Sequence, residues 1–437
     1  MGLKMVTEKV KDTEIGFIPE SWDYLSIKTI DPFKGTVQTG PFGSILHSYD
    51  YANEGVPLLL VKNIVEGRVV EEGIPRVNFE KANELKKFWL REGDIVFTRV
   101  GAVGRTLYVT KEYEGWMFSG QTLRVRINNP HVNNKFVEFY FRSPQYQSLS
   151  ESTSLGSTRA SINTSILANT NIPLPSKEEQ DKIVEILLSI DQKIQINQKM
   201  NQTLEEIGQA IFKHWFVHFE FPNEEGKPYK SSGGEMVDSE LGEIPKGWEV
   251  QSLDKIADYL NGLALQKFPQ ENDDYLPVIK IRELKQGVTS STDKASAKID
   301  SNYIIDNGDV IFSWSGSLEV VLWCGGKGAL NQHLFKVTSE EYPKWFYYYW
   351  TKHHLKSFRE IAADKTTTMG HIKRKDLSEA LVIIPPEEEL SKVDAIINPI
   401  IEFLINNEIG SCNLSKIRDS LLPKLMSGKI RVPLEGK

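Results

Sequence analysis

A chain of 437 residues, 40% hydrophobic and 25% charged, has ordinary globular composition and room for about three domains, which excludes wholesale disorder. Its 52 Lys and Arg against 59 Asp and Glu give a net charge of -7, so a nucleic-acid surface has to be a local sorting of cations, not an overall basic field. The two cysteines, Cys324 and Cys412, exclude a disulfide framework and a multi-cysteine zinc site, and no apolar run approaches the roughly 18 residues of a membrane-spanning helix.

In chain order, residues 1–11 are charged and carry no apolar signal core, so a soluble, cytoplasmic protein is expected. A first globular part covers 14–175, with strands predicted at 56–61, 94–98 and 123–127 and an aromatic-rich amphipathic helix at 135–142. Residues 176–218 read as one long helix, and the polar, glycine-containing stretch 219–239 reads as a linker. A second globular part, 240–385, has strands at 276–281 and 310–314 and an aromatic-rich helix at 344–350. It leads into a second long helix, 386–428, which Pro399 is expected to kink or locally break.

The second half repeats the first. Glu14, Gly16, Ile18, Pro19 and Trp22 recur as Glu240, Gly242, Ile244, Pro245 and Trp248, at an offset of 226. Gly93-Asp94-Ile95-Val96-Phe97 matches Gly308-Asp309-Val310-Ile311-Phe312 at 215, and Gln121 matches Gln332 at 211. Ile172-Pro173-Leu174-Pro175 and Ile383-Ile384-Pro385-Pro386 each open a charged helical segment, at about 210. Four matches in one order indicate a duplicated α+β fold with a pseudo-twofold internal repeat.

The long helices share a seam. Ile183, Leu187, Ile190, Ile194, Asn197, Asn201 and Leu204 recur at spacings of four and three. Adding 210 gives Val393, Ile397, Ile400, Leu404, Asn407, Ser411 and Leu414, so both seams turn polar at the same two positions. This heptad pattern predicts a coiled coil in which Asn197 and Asn407 meet or set the register. Forty helical residues span about 60 Å, the length of a spacer.

Two similar heads on a rigid spacer suit a protein that touches two places on one extended ligand, and DNA, with a turn of about 34 Å, is the natural candidate. Because the heads differ in sequence, the expected target is bipartite and asymmetric, with an unread gap. The order of Ile18-Pro19 to Trp22, Gly40-Pro41-Phe42-Gly43-Ser44, Gly93 to Phe97, Gln121 and the proline-containing lead into a long helix resembles the specificity subunit of type I restriction–modification enzymes, over about 14–428. That resemblance implies two target recognition domains, 14–175 and 240–385, and long helices that pack antiparallel and dock two methyltransferase subunits, which ATP-driven restriction subunits join. It also implies a non-catalytic chain that binds no cofactor itself, with S-adenosylmethionine, ATP and Mg²⁺ on the partners. The second copy departs from the first where Leu260-Asn261-Gly262-Leu263-Ala264 replaces Gly40 to Ser44 and Trp314-Ser315-Gly316 replaces Arg99-Val100-Gly101. Base-reading loops are expected to diverge in this way.

The first part holds 17 Lys and Arg against 17 Asp and Glu, the second 18 against 20, so a DNA face in either must be sorted. Phosphates call for Lys, Arg, hydroxyl and backbone donors, and base edges for Arg, Lys, Asn, Gln, Ser or Thr. In the first part the candidates are Arg99, Gly101 and Arg105, a loop whose glycines permit close backbone approach. Gln38 and Thr39, Lys62 and Asn63 at a strand end, Gln121, and Thr158 with Arg159 join them. In the second part they are Lys280 and Arg282, expected on one face of a strand, Trp314, Gln332 and His333, and the basic, hydroxyl-rich run Thr367, Thr368, His371, Lys373 and Arg374. Each also has a structural reading as an exposed turn or a solvated charge run.

Enzyme readings fare poorly. His353 and His354, adjacent on a helix, point about 100° apart, and His214 with His218 lacks a third ligand. There is no G-x-x-x-x-G-K-[ST] loop and no N-P-P-aromatic or D-P-P-aromatic tetrapeptide. A DNA-binding regulator without a methyltransferase partner is the alternative expectation, and a metal-dependent hydrolase a more distant one. If the helices set the gap, about four residues inserted near Asn201 should lengthen it.

Overall fold

The same hairpin opens both copies of the repeat, Val10–Thr13 against Gly16–Pro19 and Met236–Ser239 against Gly242–Pro245. In the computed structural model, which describes residues 4–5, 9–33, 35–65, 67–100, 103–154, 161–271, 273–364 and 370–434, the chain divides into two units. One comprises 1–191 with 416–437, the other 192–415. Each unit holds one head.

The heads share an α+β topology. The central antiparallel sheet runs Thr106–Tyr108, Ile95–Thr98, Thr122–Val125, Val37–Thr39 in the first and Glu319–Leu322, Val310–Ser313, Leu334–Thr338, Asp258–Asn261 in the second. The Gly-Asp motif explains where the middle strand starts. Asp94 and Asp309 each accept a backbone N–H three residues upstream, from Arg91 and Asp306, at 2.8 Å.

From there the strand is buried on both faces, which is why it reads as an unbroken apolar run. Ile95 and Phe97 pack with helix Asn134–Arg142, while Val96 faces Leu58, Leu59 and Phe118. Phe312 and Ile311 divide in the same way between helix Lys344–Ala363 and Ile279 with Leu330. A parallel pair recurs as well, Met117–Phe118 beside Val56–Leu59 and Gly328–Leu330 beside Tyr275–Ile279. A last antiparallel pair, Asp23–Ser26 with Asn171–Leu174 and Glu249–Ser252 with Leu381–Ile384, delivers the chain into each long helix.

Those helices are Lys177–Phe212 and Glu387–Met426. The expected break at Pro399 does not occur, because Ile397 and Ile401 on either side are buried in the core of the second head, and that burial outweighs one missing hydrogen bond. Among the described residues no helix is long and apolar enough to cross a membrane.

The seam does two jobs. Ile183 and Leu187 pack with Leu422, Leu425 and Met426 of the second helix inside the first head's core. Val393, Ile397 and Leu404 pack with Leu204 in the core of the second. Ile194 is buried, and Ile190 and Leu414 are half-buried.

The repeated Pro-x-x-Trp element receives the C-terminal end of a long helix in each unit. Gly428, just past the second helix, lies against Pro19 and Trp22. Trp248 stands 5.6 Å from the Phe216 ring and stacks on Phe221 at 4.9 Å. Segment 219–239 is therefore not a free linker. Phe219 and Phe221 are buried, and they carry the otherwise polar stretch onto the second unit.

Between these ends the seam is polar. Asn197 Nδ2 donates to Asn407 O and Ser411 Oγ, both at 3.3 Å, and Asn407 Nδ2 donates to Asn201 Oδ1 at 3.1 Å. Numbers rise along one helix as they fall along the other, so the pair is antiparallel. With the repeat offset of 210, Asn197–Ser411 and Asn201–Asn407 are one contact seen from each copy. Asn201→Leu or Asn407→Leu alone strands an amide and is expected to cost about 1–2 kcal/mol. The double replacement should recover about 1 kcal/mol of that in a denaturant-melt cycle, and strictly additive losses would show that the amides are not coupled.

A second polar anchor lies in the first unit, where Asp191 accepts from Arg142 and Arg418 at 3.0 Å each. Burial pushes its carboxyl up, but the two guanidinium groups outweigh that and hold it below the ordinary carboxylate range. A lowered folded pKa means stabilisation present above the unfolded value, about 3.9, and lost as pH falls through the folded one. Asp191→Asn is expected to lose about 2–3 kcal/mol at pH 7. The gap to the unaltered chain should close below about pH 4 in urea melts; a constant gap would refute the ion-pair account.

Candidate nucleic-acid interface

One end of the central sheet collects four loops in each head, and backbone hydrogen bonds lock them together. In the first head Arg99 N donates to Gln121 O at 3.0 Å, Ile162 N to Arg99 O at 3.2 Å and Gly40 N to Thr122 O at 3.4 Å. In the second, Trp314 N donates to His333 O at 3.3 Å, Ile372 N to Trp314 O at 3.0 Å and Gly262 N to Leu334 O at 3.0 Å. Gly40 and Gly262 are the tightest points. A Cβ on Gly40 would lie 2.3 Å from Phe118 O and Ser119 O, and one on Gly262 2.3 Å from Asn331 O.

This register corrects two sequence alignments. Thr98 faces Thr122 as Ser313 faces Leu334, so Gln121 corresponds to His333, one residue beyond the matching Gln332. Likewise Gly40 corresponds to Gly262, not to Leu260, and the glycine is repeated after all. A single identical residue beside a one-residue slip had produced the wrong pairing.

The sheet end brings together Thr39, Arg99, Arg105 and Gln121 in the first head, with Gln38 half-buried on the adjoining edge strand. Arg105 is exposed, its N–H donating to Thr98 Oγ1 at 3.0 Å. Thr39 Oγ1, Arg99 Nε and Ser119 Oγ are buried with no hydrogen-bond partner among the described residues. Gly101, Thr158 and Arg159 lie outside the described residues, as do Thr367 and Thr368.

In the second head Trp314, His333 and His371 cluster, with ring centroids 5.9 and 6.3 Å from the indole. Trp314 Nε1 donates to Asn261 Oδ1 at 2.9 Å, and Ser315 Oγ meets His333 Nδ1 at 3.0 Å. A polar cleft beside them is lined by Gln266, Gln270, Lys280, Asp293, Gln332 and His333. Asn261 and Ser161 were missed in the sequence, since only the strand register places Asn261 here and only the backbone bond from Ile162 N to Arg99 O brings Ser161 beside Arg99 in the first head.

Other candidates are engaged in holding the fold. Asn63 is buried, donating to Val70 O at 2.8 Å and accepting Leu60 N at 3.3 Å, while Lys62 beside it is exposed. Lys280 and Arg282 do not share a strand face. The strand ends at Ile279, Lys280 caps helix Ile281–Gln286 and pairs with Asp293, and Arg282 pairs with Glu283 at 2.8 Å. The Lys280 hydrogen bond holds the Asp293 carboxyl below its ordinary range. Arg374 donates to Tyr259 O at 3.1 Å, with its guanidinium 5.8 Å over the Phe335 ring, and Lys373 is the exposed N-cap of helix Arg374–Glu379. His354 donates to Leu381 O at 2.9 Å in the core, where burial pushes its imidazole down to about 4. No cluster of three or more His, Cys, Asp or Glu suited to a metal occurs among the described residues.

Known proteins resemble this arrangement. A family model described as the type I restriction modification DNA specificity domain matches residues 52–206 and 245–411. The chain is 28% identical over 435 residues to the type I restriction enzyme MjaIX specificity subunit of Methanocaldococcus jannaschii, covering 97% of this chain and 96% of that one. It is 24% identical over 407 residues to the type I restriction enzyme HindI specificity subunit of Haemophilus influenzae, covering 78% and 87%. The crystal structure of a type I restriction–modification system S subunit from M. genitalium shares the fold, with a TM-score of 0.53 at 16% identity over 92% of this chain and 96% of that one.

Proposed function

The chain belongs to the type I restriction–modification DNA specificity family, and from that premise we infer how its parts divide the work of a specificity subunit. Each head reads one half-site of a bipartite, asymmetric duplex target. The observation that carries this reading is the four-loop sheet end, built on one backbone plan in both heads but furnished with different side chains. Thr39, Arg99 and Gln121 meet base edges in the first head, with Arg105 and Lys62 on phosphates. Asn261, Trp314, Gln332, His333 and His371 form the reading surface of the second, with Lys373 at its edge. Neither head carries excess positive charge, so specificity rests on hydrogen bonds and shape more than on a basic field.

The long helices set the unread gap and dock two methyltransferase subunits. Their exposed apolar side chains, Ile196, Met200 and Ile207 on the first and Ile396, Phe403 and Ile417 on the second, suit that contact. Restriction subunits join through the methyltransferases. The chain itself is non-catalytic, S-adenosylmethionine, ATP and Mg²⁺ belong to the partners, and the complex works in the cytoplasm, where the DNA is. A regulator acting without a methyltransferase is not favoured.

The test is a methylome. Expressed with its methyltransferase in a methylation-free host, the chain is expected to yield one asymmetric motif with a gap, absent when the chain is omitted. A soluble complex that leaves no new motif would sink the reading.

A further inference from the structure

We propose that four positions in each head set the specificity, namely Thr39, Arg99, Gln121 and Ser161 in the first and their counterparts Asn261, Trp314, His333 and His371 in the second. The inference rests on the half-site reading and goes beyond it by adding Ser161 and by pairing each position with a counterpart, so that the set is exchangeable between heads.

The repeat supplies an internal control. Positions that hold the scaffold keep their chemistry between copies. Pro19 and Pro245, Asp94 and Asp309, Gly40 and Gly262, and the buried pair Ile162 and Ile372 are identical. The four positions sit between these fixed points, on backbone bonded in the same register, yet all four differ. A hydroxyl becomes an amide at Thr39/Asn261, a guanidinium becomes an indole at Arg99/Trp314, an amide becomes an imidazole at Gln121/His333, and a hydroxyl becomes an imidazole at Ser161/His371. Along the middle strand and its neighbour the copies differ in identity but mostly keep side-chain class, as in Ile95/Val310, Val96/Ile311, Phe97/Phe312, Leu123/Phe335 and Arg124/Lys336. The four positions at the sheet end instead exchange one functional group for another, the mark of a reading surface.

The chemistry differs accordingly. In the first head Thr39 Oγ1 and Arg99 Nε are buried without partners among the described residues, and guanidinium and carboxamide groups are the side chains that bond purine edges in pairs. In the second head Trp314 Nε1 already bonds to Asn261, and the two ring nitrogens of His333 meet Ser315 and Gln332, which leaves ring faces and edges of these two side chains to make contact. Ring surfaces discriminate by fit against a thymine methyl or a stacked base, not by bidentate bonds.

Transplanting the set tests this. The full chain carrying Thr39→Asn, Arg99→Trp, Gln121→His and Ser161→His, expressed with its methyltransferase, is expected to change the first half-site while the second half-site and the gap stay as they were. A motif identical to that of the unaltered chain would overturn the proposal. If the unaltered chain itself gives no gapped motif, the half-site reading has failed and the four positions fall with it. Should the fourfold variant fail to fold, Gln121→Ala and Arg99→Ala are measured singly by competition with DNAs mismatched at each first-half-site base pair. Each is expected to lower the mismatch penalty about tenfold or more at one pair and leave second-half-site penalties unchanged. Penalties unchanged at every pair would refute it.

Discussion

Replacing Gly262 by alanine is expected to blind the second head while the first goes on reading. The added Cβ would meet Asn331 O at 2.3 Å and Leu330 O at 2.5 Å, and both are backbone atoms that no rotamer change can move aside. The strand Gly328–Leu330 is itself buried, so the strain is relieved most easily at the exposed end, by displacing the turn that carries Gln332 and His333. Overpacking of this kind costs about 1–3 kcal/mol of stability, which a domain with this much core survives.

The functional loss should be larger. Giving up several base contacts at about 1–3 kcal/mol each lowers affinity for the full target at least ~100-fold. Binding by the assembled complex to DNAs with one half-site scrambled would separate the heads. The variant is expected to become indifferent to scrambling of the second half-site and to remain sensitive to scrambling of the first. Gly40→Ala, crowding Phe118 O and Ser119 O, should give the mirror result. Full sensitivity to both half-sites in either variant would mean that this sheet end is not the reader.

How much of this was legible in the sequence depends on whether a feature is local. The buried strands were, because an apolar run after a Gly-Asp turn has few alternatives; Ile95–Thr98 and Val310–Ser313 lie within one residue of the expected spans. The long helices were legible from heptad spacing, and the asparagines in the seam from the way the polar break repeats. That the helix continues through Pro399 without a break was not legible, because propensity weighs one lost hydrogen bond and cannot see the core on which Ile397 and Ile401 rest.

Side-chain roles were the least legible. Asn63, Lys280, Arg282 and Arg374 have the right chemistry for DNA but find partners within the head. Arg374 bonds to Tyr259, far off in sequence, while Asn63 and Arg282 bond to near neighbours whose approach only the local turn geometry reveals. The Gln121–Gln332 match failed for a related reason. Identity at one position is weak evidence beside a one-residue slip, whereas a ladder of hydrogen bonds fixes register without reference to identity. Segment 219–239 was judged by its polar majority, yet its two buried phenylalanines decide where it packs.

The antiparallel seam also changes what an insertion in the spacer should do. Four residues added to one helix near Asn201 would carry that residue past Asn407 while Asn197 kept Ser411, so the two halves of the polar contact could no longer form together. Such a chain is expected to be unstable more than re-spaced. Adding one heptad to each helix at the level of Met200 keeps the seam in phase, since seven residues fall only about 20° short of two turns. It preserves both asparagine contacts and lengthens the spacer by about 10 Å, roughly three base pairs of B-form DNA. Mapping methylated sites for the matched variant should return both half-sites unchanged and a gap about three base pairs longer. Altered half-sites with the original gap would mean that the heads, and not the helices, fix the spacing.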